Sequence, residues 1–318
     1  MTWRYMNPGL VSLLDSNVPA TQYTGYEYSN TGCAFSKTDQ YYGVTVSDFQ
    51  QGDEFWAKFD IFIPTIASKG TADIRLYIPK FNGNGHFRIR LEKPSKILNA
   101  YFYFGNSDDN EVAFAGNTGS VLGIKQNTVN AFAFHVVYGN ASTAKAELFF
   151  NGQKYTYTGA AIPFYKYGQA IVGLSATSEY VKFSNVIFSN EEVDAREQMY
   201  VPPASTTTTD MATMAGGMYT ADTAGQTFLQ TPDVSSIISA HGANSTITSF
   251  QVRCNPAYRT GIRLRNMVSL SKAGNSIAKH TTIAMGVSTT DIISDYWTFT
   301  DTTVSDIQNM QFGWKTAE

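Results

Sequence analysis

Charge is scarce in this chain. Asp, Glu, Lys and Arg make up 15% of its 318 residues, and the balance is −3, where an ordinary soluble domain carries about 25% charged residues. Basic residues are scattered; the densest group, "YRTGIRLR", alternates Arg263 and Arg265 with Ile262 and Leu264, one polar face of a strand rather than a phosphate groove. No nucleic-acid partner is expected. Cysteine is nearly absent: Cys33 and Cys254 stand far apart, so neither a metal spacing nor a disulfide framework follows, and both are read as buried free thiols. No run approaches the roughly 20 apolar residues of a membrane span. The opening "MTWRYMNPGLVSLLDSNVPA" is interrupted by Pro8 and Asp15 and has no apolar signal core, which implies synthesis in the cytoplasm without general secretory export. Sequons at Asn140 and Asn244 carry little meaning without that route. Helical periodicity is missing as well.

What the chain has is aromatic and β-forming. Tyr and Phe number 19 and 21, and apolar residues reach 43%, enough for a sizeable core. Alternation is plain in "DEFWAKFDIFIP", with Phe55, Ala57, Phe59 and Ile61 on one face. "ADIRLYIPKFNGNGHFRIRLEK" predicts a hairpin with Asn82-Gly83-Asn84-Gly85 at its tip; Ile74, Leu76 and Ile78 answer Phe87, Ile89 and Leu91, while Arg75, Arg88, Arg90 and Glu92 point away. In "AELFFNGQKYTYTG", Asn151-Gly152 between alternating runs predicts a two-residue turn. That fixes Phe150 opposite Gln153, Phe149 opposite Lys154, Leu148 opposite Tyr155 and Glu147 opposite Thr156. The face with Ala146, Leu148, Phe150 and Tyr155 reads as core, and the face with Lys145, Glu147, Phe149, Lys154 and Thr156 as mostly solvated. Turn signals recur at roughly 8–15 residues, the spacing of an all-β sandwich.

Domain organisation follows from one break. Pro202-Pro203, four consecutive Thr and Gly216-Gly217 read as a connector over 201–217, between a sandwich over 1–200 and a smaller one over 218–318. Short strands fill the second unit, and "VSSIIS" and "VSDIQN" suit single helical turns.

The order "GCAFSKTDQYYGVTV", "DEFWAKFDIFIP", "AFAFHVVYGN" with "AELFFNGQKY", and "YVKFSNVIFSNEEV" resembles the concanavalin A-like jelly rolls of the laminin-G and lectin type. "STITSFQVR" and "DYWTFTDTTVSDIQNMQFGWK" resemble small β-sandwich modules at the ends of tailed-phage structural proteins. Together these imply a non-enzymatic virion protein, tail-associated or capsid-decorating, assembled inside the host. Its partners would be other virion proteins, further copies of itself in a homo-oligomer, and a host-surface glycan. A bacterial surface adhesin is the alternative outside the virion.

Three clusters are candidate chemistry. Glu192, Asp194 and Glu197 match the E-x-D-x-x-E spacing of jelly-roll glucanases of the laminarinase type, a resemblance that implies a nucleophile and an acid/base pair of a retaining glycoside hydrolase. Arg196 inside the motif, and its position after the last strand, favour a hydrated exit segment instead. Asn106, Asp108, Asp109 and Glu111 in "GNSDDNE" offer hard oxygens suited to Ca²⁺, in a composition equally at home in a turn; no other cofactor is expected. Tyr41, Tyr42, Tyr165 and Tyr167 are the most loop-like aromatics and the candidate glycan platform, weighed against a role in plugging the sandwich edge. His86, His135, His241 and His280 show no pairing in sequence.

Overall fold

The computed structural model describes residues 4–7, 20–24, 31–35, 40–46, 54–63, 65–66, 71–80, 83–92, 99–107, 110–113, 124–140, 142–150, 153–157, 170–176, 182–194, 197–213, 219–254, 266–284, 292–293, 297–299 and 301–317. They divide into two compact units, Met1–Val201 and Pro202–Glu318. The first carries strands β1 (Arg4–Asn7), β2 (Ala20–Thr24), β3 (Thr31–Phe35), β4 (Gln40–Val46), β5 (Glu54–Ile63), β6 (Thr71–Lys80), β7 (Gly83–Glu92), β8 (Asn99–Ser107), β9 (Asn110–Ala113), β10 (Thr128–Val137), β11 (Lys145–Phe150), β12 (Gln153–Tyr157), β13 (Ala170–Ala176) and β14 (Lys182–Ser189).

Two antiparallel sheets result. One runs β12-β11-β10-β5-β14-β3-β2 with β1 also on β14; the other runs β4-β13-β6-β7-β8-β9. Ring contacts join them face to face. Phe87 of β7 meets Phe134 of β10 at 4.3 Å, and Phe102 of β8 meets Phe132, Phe150 and Tyr155 at 6.3, 6.3 and 5.7 Å. Alternation supplies this layer: Phe55, Phe59, Ile61, Phe132, Phe134, Leu148 and Phe150 come from one sheet, and Ile74, Leu76, Phe87, Ile89 and Phe102 from the other, all buried. The unit is the all-β sandwich that the alternation predicted.

The β11–β12 register is the expected one, with Phe150 opposite Gln153 and Glu147 opposite Thr156. Glu147 itself departs from the solvated face foreseen for it, because its side chain is only 5% exposed. In the β6–β7 hairpin Lys80 pairs with Gly83, Pro79 with Asn84 and Ile78 with Gly85, so three residues of the expected tip lie within β7.

The second unit holds β15 (Ala204–Thr209), β16 (Ala212–Thr213), β17 (Tyr219–Thr220), β18 (Thr227–Pro232), α1 (Ser235–His241), β19 (Ser249–Phe250), β20 (Arg253–Cys254), β21 (Asn266–Ala273), β22 (Ser276–Ala284), β23 (Ile292–Ile293), β24 (Trp297–Thr298), α2 (Val304–Ile307) and β25 (Met310–Ala317). Its main sheet runs β15-β18-β25-β21-β22. Both suspected helical turns are present. α2 starts with a capping box: Thr303 Oγ1 accepts from Asp306 N, and Thr303 N donates to Asp306 Oδ2 at 2.8 Å. Leu229, Leu270, Phe312, Trp314, Val304 and Ile307 are buried.

The Thr tract foreseen as connector is instead strand. Ser205 pairs with Thr231 and Thr209 with Phe228, while the strand stays exposed along its length. β-branched Thr favours extended backbone, and a partner strand supplies the hydrogen bonds that composition could not reveal.

Candidate functional site

The strongest candidate lies on the six-stranded sheet, on the face away from the core. Phe87, Ile89 and Leu91 of β7 point inward, so Arg88, Arg90 and Glu92 take the other side; Tyr101 and Tyr103 do the same on β8 around buried Phe102. Register sets Arg88 opposite Tyr103 and Arg90 opposite Tyr101. The Arg88 guanidinium stands 4.8 Å over the Tyr103 ring, a cation–π contact. Tyr101 and Tyr103 stack at 6.4 Å, and Arg90 Nε lies 2.6 Å from Glu92 Oε1.

On the other flank of β7, Arg75 is directly opposite Arg88, and Asp73 opposite Arg90. The register line continues through Ser175 to Tyr41, and on the far side to Ala113. From Tyr41 to Tyr103 it crosses four strand spacings, about 20 Å at ~4.8 Å each. A sheet face that carries guanidinium and phenol groups can hold carboxylates bidentately and present rings to sugar faces.

A second cluster sits on the outer face of the eight-stranded sheet. His135 Nδ1 lies 2.8 Å from Glu147 Oε2, and Nε2 lies 2.9 Å from Glu54 Oε2. Lys154 and Lys145 approach Glu147 at 3.0 and 3.2 Å. Trp56 stacks on the imidazole at 3.9 Å, with Phe149 behind it at 5.9 Å. Burial pushes the Glu147 carboxyl up, but hydrogen bonds from His135, Lys154 and Lys145 outweigh it and hold the group at about 2. Trp56 and His135 are both buried, so this cluster clasps four strands and offers no open ring to a sugar.

The E-x-D-x-x-E carboxylates lie beyond β14, off any strand. Glu192 and Asp194 are exposed around buried Val193, and Asp194 and Glu197 tie each other into a turn: Glu197 N donates to Asp194 O at 2.9 Å, and Asp194 N donates to Glu197 Oε1 at 3.3 Å. Of the calcium candidates, Asn106 falls in β8 and Glu111 in β9, with Glu111 opposite Gly105; Asp108 and Asp109 lie outside the described residues. Among the described residues, three or more His, Cys, Asp or Glu nowhere gather as a metal site. Tyr41 and Tyr42 are in β4, Tyr41 on the register line of the two arginines; Tyr165 and Tyr167 lie outside the described residues. The sequence flagged the arginines only as an outward face. Tyr101 and Tyr103 in "NAYFYFGN" passed unnoticed, although their alternation with Phe102 and Phe104 was the available signal.

No protein-family model matches the chain, and no curated protein matches it. Solved structures of similar fold include an endo-beta-1,4-glucuronan lyase from the fungus Trichoderma reesei, 9% identical, covering 59% of this chain and 99% of that one at a TM-score of 0.40. The Emp47p carbohydrate recognition domain is 11% identical and covers 59% and 96% at 0.39. The CBM2 module of an evolved Dit from Lactobacillus casei BL23 phage J-1 is 10% identical and covers 60% and 91% at 0.37. Alginate lyases are also among them. The expectation that the chain is not an enzyme is overturned by this set, in which polysaccharide lyases recur. At these scores the likeness bears on no particular substrate or reaction.

Proposed function

We propose that the N-terminal sandwich is a carbohydrate-binding body that takes acidic polysaccharide along the outer face of its six-stranded sheet. The observation that carries this is the outward row of Arg88 and Arg90 on β7 against Tyr103 and Tyr101 on β8, with the Arg88 guanidinium over the Tyr103 ring. The Arg88 and Arg90 guanidiniums suit the carboxylates of uronates, and the tyrosines supply ring contacts to the sugars on either side. The arginines would act as carboxylate clamps and Tyr101 and Tyr103 as the platform.

The resemblance of "STITSFQVR" and "DYWTFTDTTVSDIQNMQFGWK" to tailed-phage modules supports placing this body in a virion, with other virion subunits as partners and a host-surface glycan as ligand. The test is a panel of acidic and neutral polysaccharides presented to the full chain, reading bound protein and polymer length in parallel. Retention on uronate-containing polymers, and not on neutral glucans, is the expected outcome; shortening of the bound polymer would add turnover to binding. No retention, or equal retention on neutral polymers, would refute the proposal.

A further inference from the structure

A different part of the same unit holds a lysine, an aspartate and an asparagine almost wholly removed from water. Lys58 and Asp60 lie on β5 at 1% and 2% exposure, and Asn185 on β14 at 0%. Asp60 touches both neighbours with one carboxyl group: Oδ1 is 2.9 Å from Lys58 Nζ, and Oδ2 accepts from Asn185 Nδ2 at 2.5 Å. Asn185 Oδ1 accepts from Met199 N at 2.8 Å, which fixes which end of the carboxamide faces which partner. Asn185 is brought in by a bulge. Ser184 pairs with Asp60 and Ile187 with Lys58, leaving one extra residue on β14, and Asn185 takes φ of 51°, a left-handed conformation uncommon outside glycine. A buried ion pair of this kind seldom stabilises more than apolar residues of equal volume, so the arrangement asks for another reason.

We propose that Lys58 and Asn185 are the two halves of an intramolecular amide cross-link, formed autocatalytically with Asp60 as proton shuttle. The neutral Lys58 amine attacks Asn185 Cγ, forming the Nζ–Cγ bond. The negative charge developing on Oδ1 is met by the Met199 N–H already aimed at it. Asp60 relays the proton, receiving it from Nζ on the Oδ1 side and delivering a proton to Nδ2 on the Oδ2 side. The Cγ–Nδ2 bond breaks, ammonia leaves, and Asp60 ends in the state in which it began. Nothing is oxidised or reduced. Enclosure on neighbouring strands replaces the loss of translational freedom that makes aminolysis of a carboxamide slow in water. Burial pushes the Lys58 ammonium down against the pull of Asp60, and pushes the Asp60 carboxyl up against Lys58 and Asn185; both directions favour the neutral amine and the carboxylic acid that the step requires. The product would staple β5 to β14 in the middle of the eight-stranded sheet.

Mass spectrometry of the purified full chain under denaturing conditions decides this, followed by tryptic mapping. The expected mass is one ammonia below that of the sequence. The map should lack cleavage after Lys58 and contain a branched peptide joining it to Asn185. Asp60→Asn is expected to restore the lost ammonia and free the two peptides. A folded wild-type chain at the full sequence mass, or an ammonia loss that maps elsewhere, overturns the proposal without reference to any variant.

Discussion

Gly313 lies in β25 between Leu229 of β18 and Leu270 of β21, opposite both in register. A Cβ there would penetrate the Phe228 carbonyl group, which is backbone and cannot swing aside. Gly313→Ala is expected to destabilise the C-terminal unit by about 3 kcal/mol, overpacking at a fixed backbone, read as a lower midpoint in chemical denaturation. Glu147 sets a pH limit on the first unit. Its carboxyl binds a proton less readily in the fold, at about 2, than at the ordinary 4.5. The stability it contributes is therefore complete above that ordinary value and is lost as pH falls toward 2. Glu147→Gln should flatten this part of a stability–pH curve and cost roughly 1–3 kcal/mol near neutrality, because the lysines that share the load are half exposed and screened. Neither feature was visible in sequence: the partners of Glu147 include His135 from β10 and Lys154 from β12, and an isolated glycine gives no sign of a neighbouring carbonyl.

Elements with local signals were legible. Asn151-Gly152 fixed the β11–β12 register to the residue, since a two-residue turn leaves no freedom to slip. Phe87, Ile89 and Leu91 fell inward as alternation required. Elements defined by distant partners were not: Ala204–Thr209 looked like a connector until β18 completed it. The segment after β14 shows the same contrast. Its carboxylates drew attention as a motif, whereas its structural contribution is the buried Val193. Val193→Ala should lower stability by about 1–2 kcal/mol, while Glu192→Gln at the exposed neighbouring position should stay within about 0.5 kcal/mol of wild type, both measured by urea unfolding.

At the scale of the molecule, composition and alternation were enough to read an all-β chain, because inward and outward positions repeat every two residues over most of its strands. They could not locate a binding face. That required knowing that β6, β7 and β8 are neighbours, which sets Arg75 against Arg88 and Arg88 against Tyr103. The central claim is that this face binds acidic polysaccharide, and its most direct test is a calorimetric titration of a soluble polyuronate into wild type and Arg88→Gln, with Lys154→Gln on the opposite sheet as control. Arg88→Gln should bind at least about tenfold more weakly, the loss of one charge-assisted carboxylate contact, and Lys154→Gln should match wild type. Equal affinity for wild type and Arg88→Gln would contradict it.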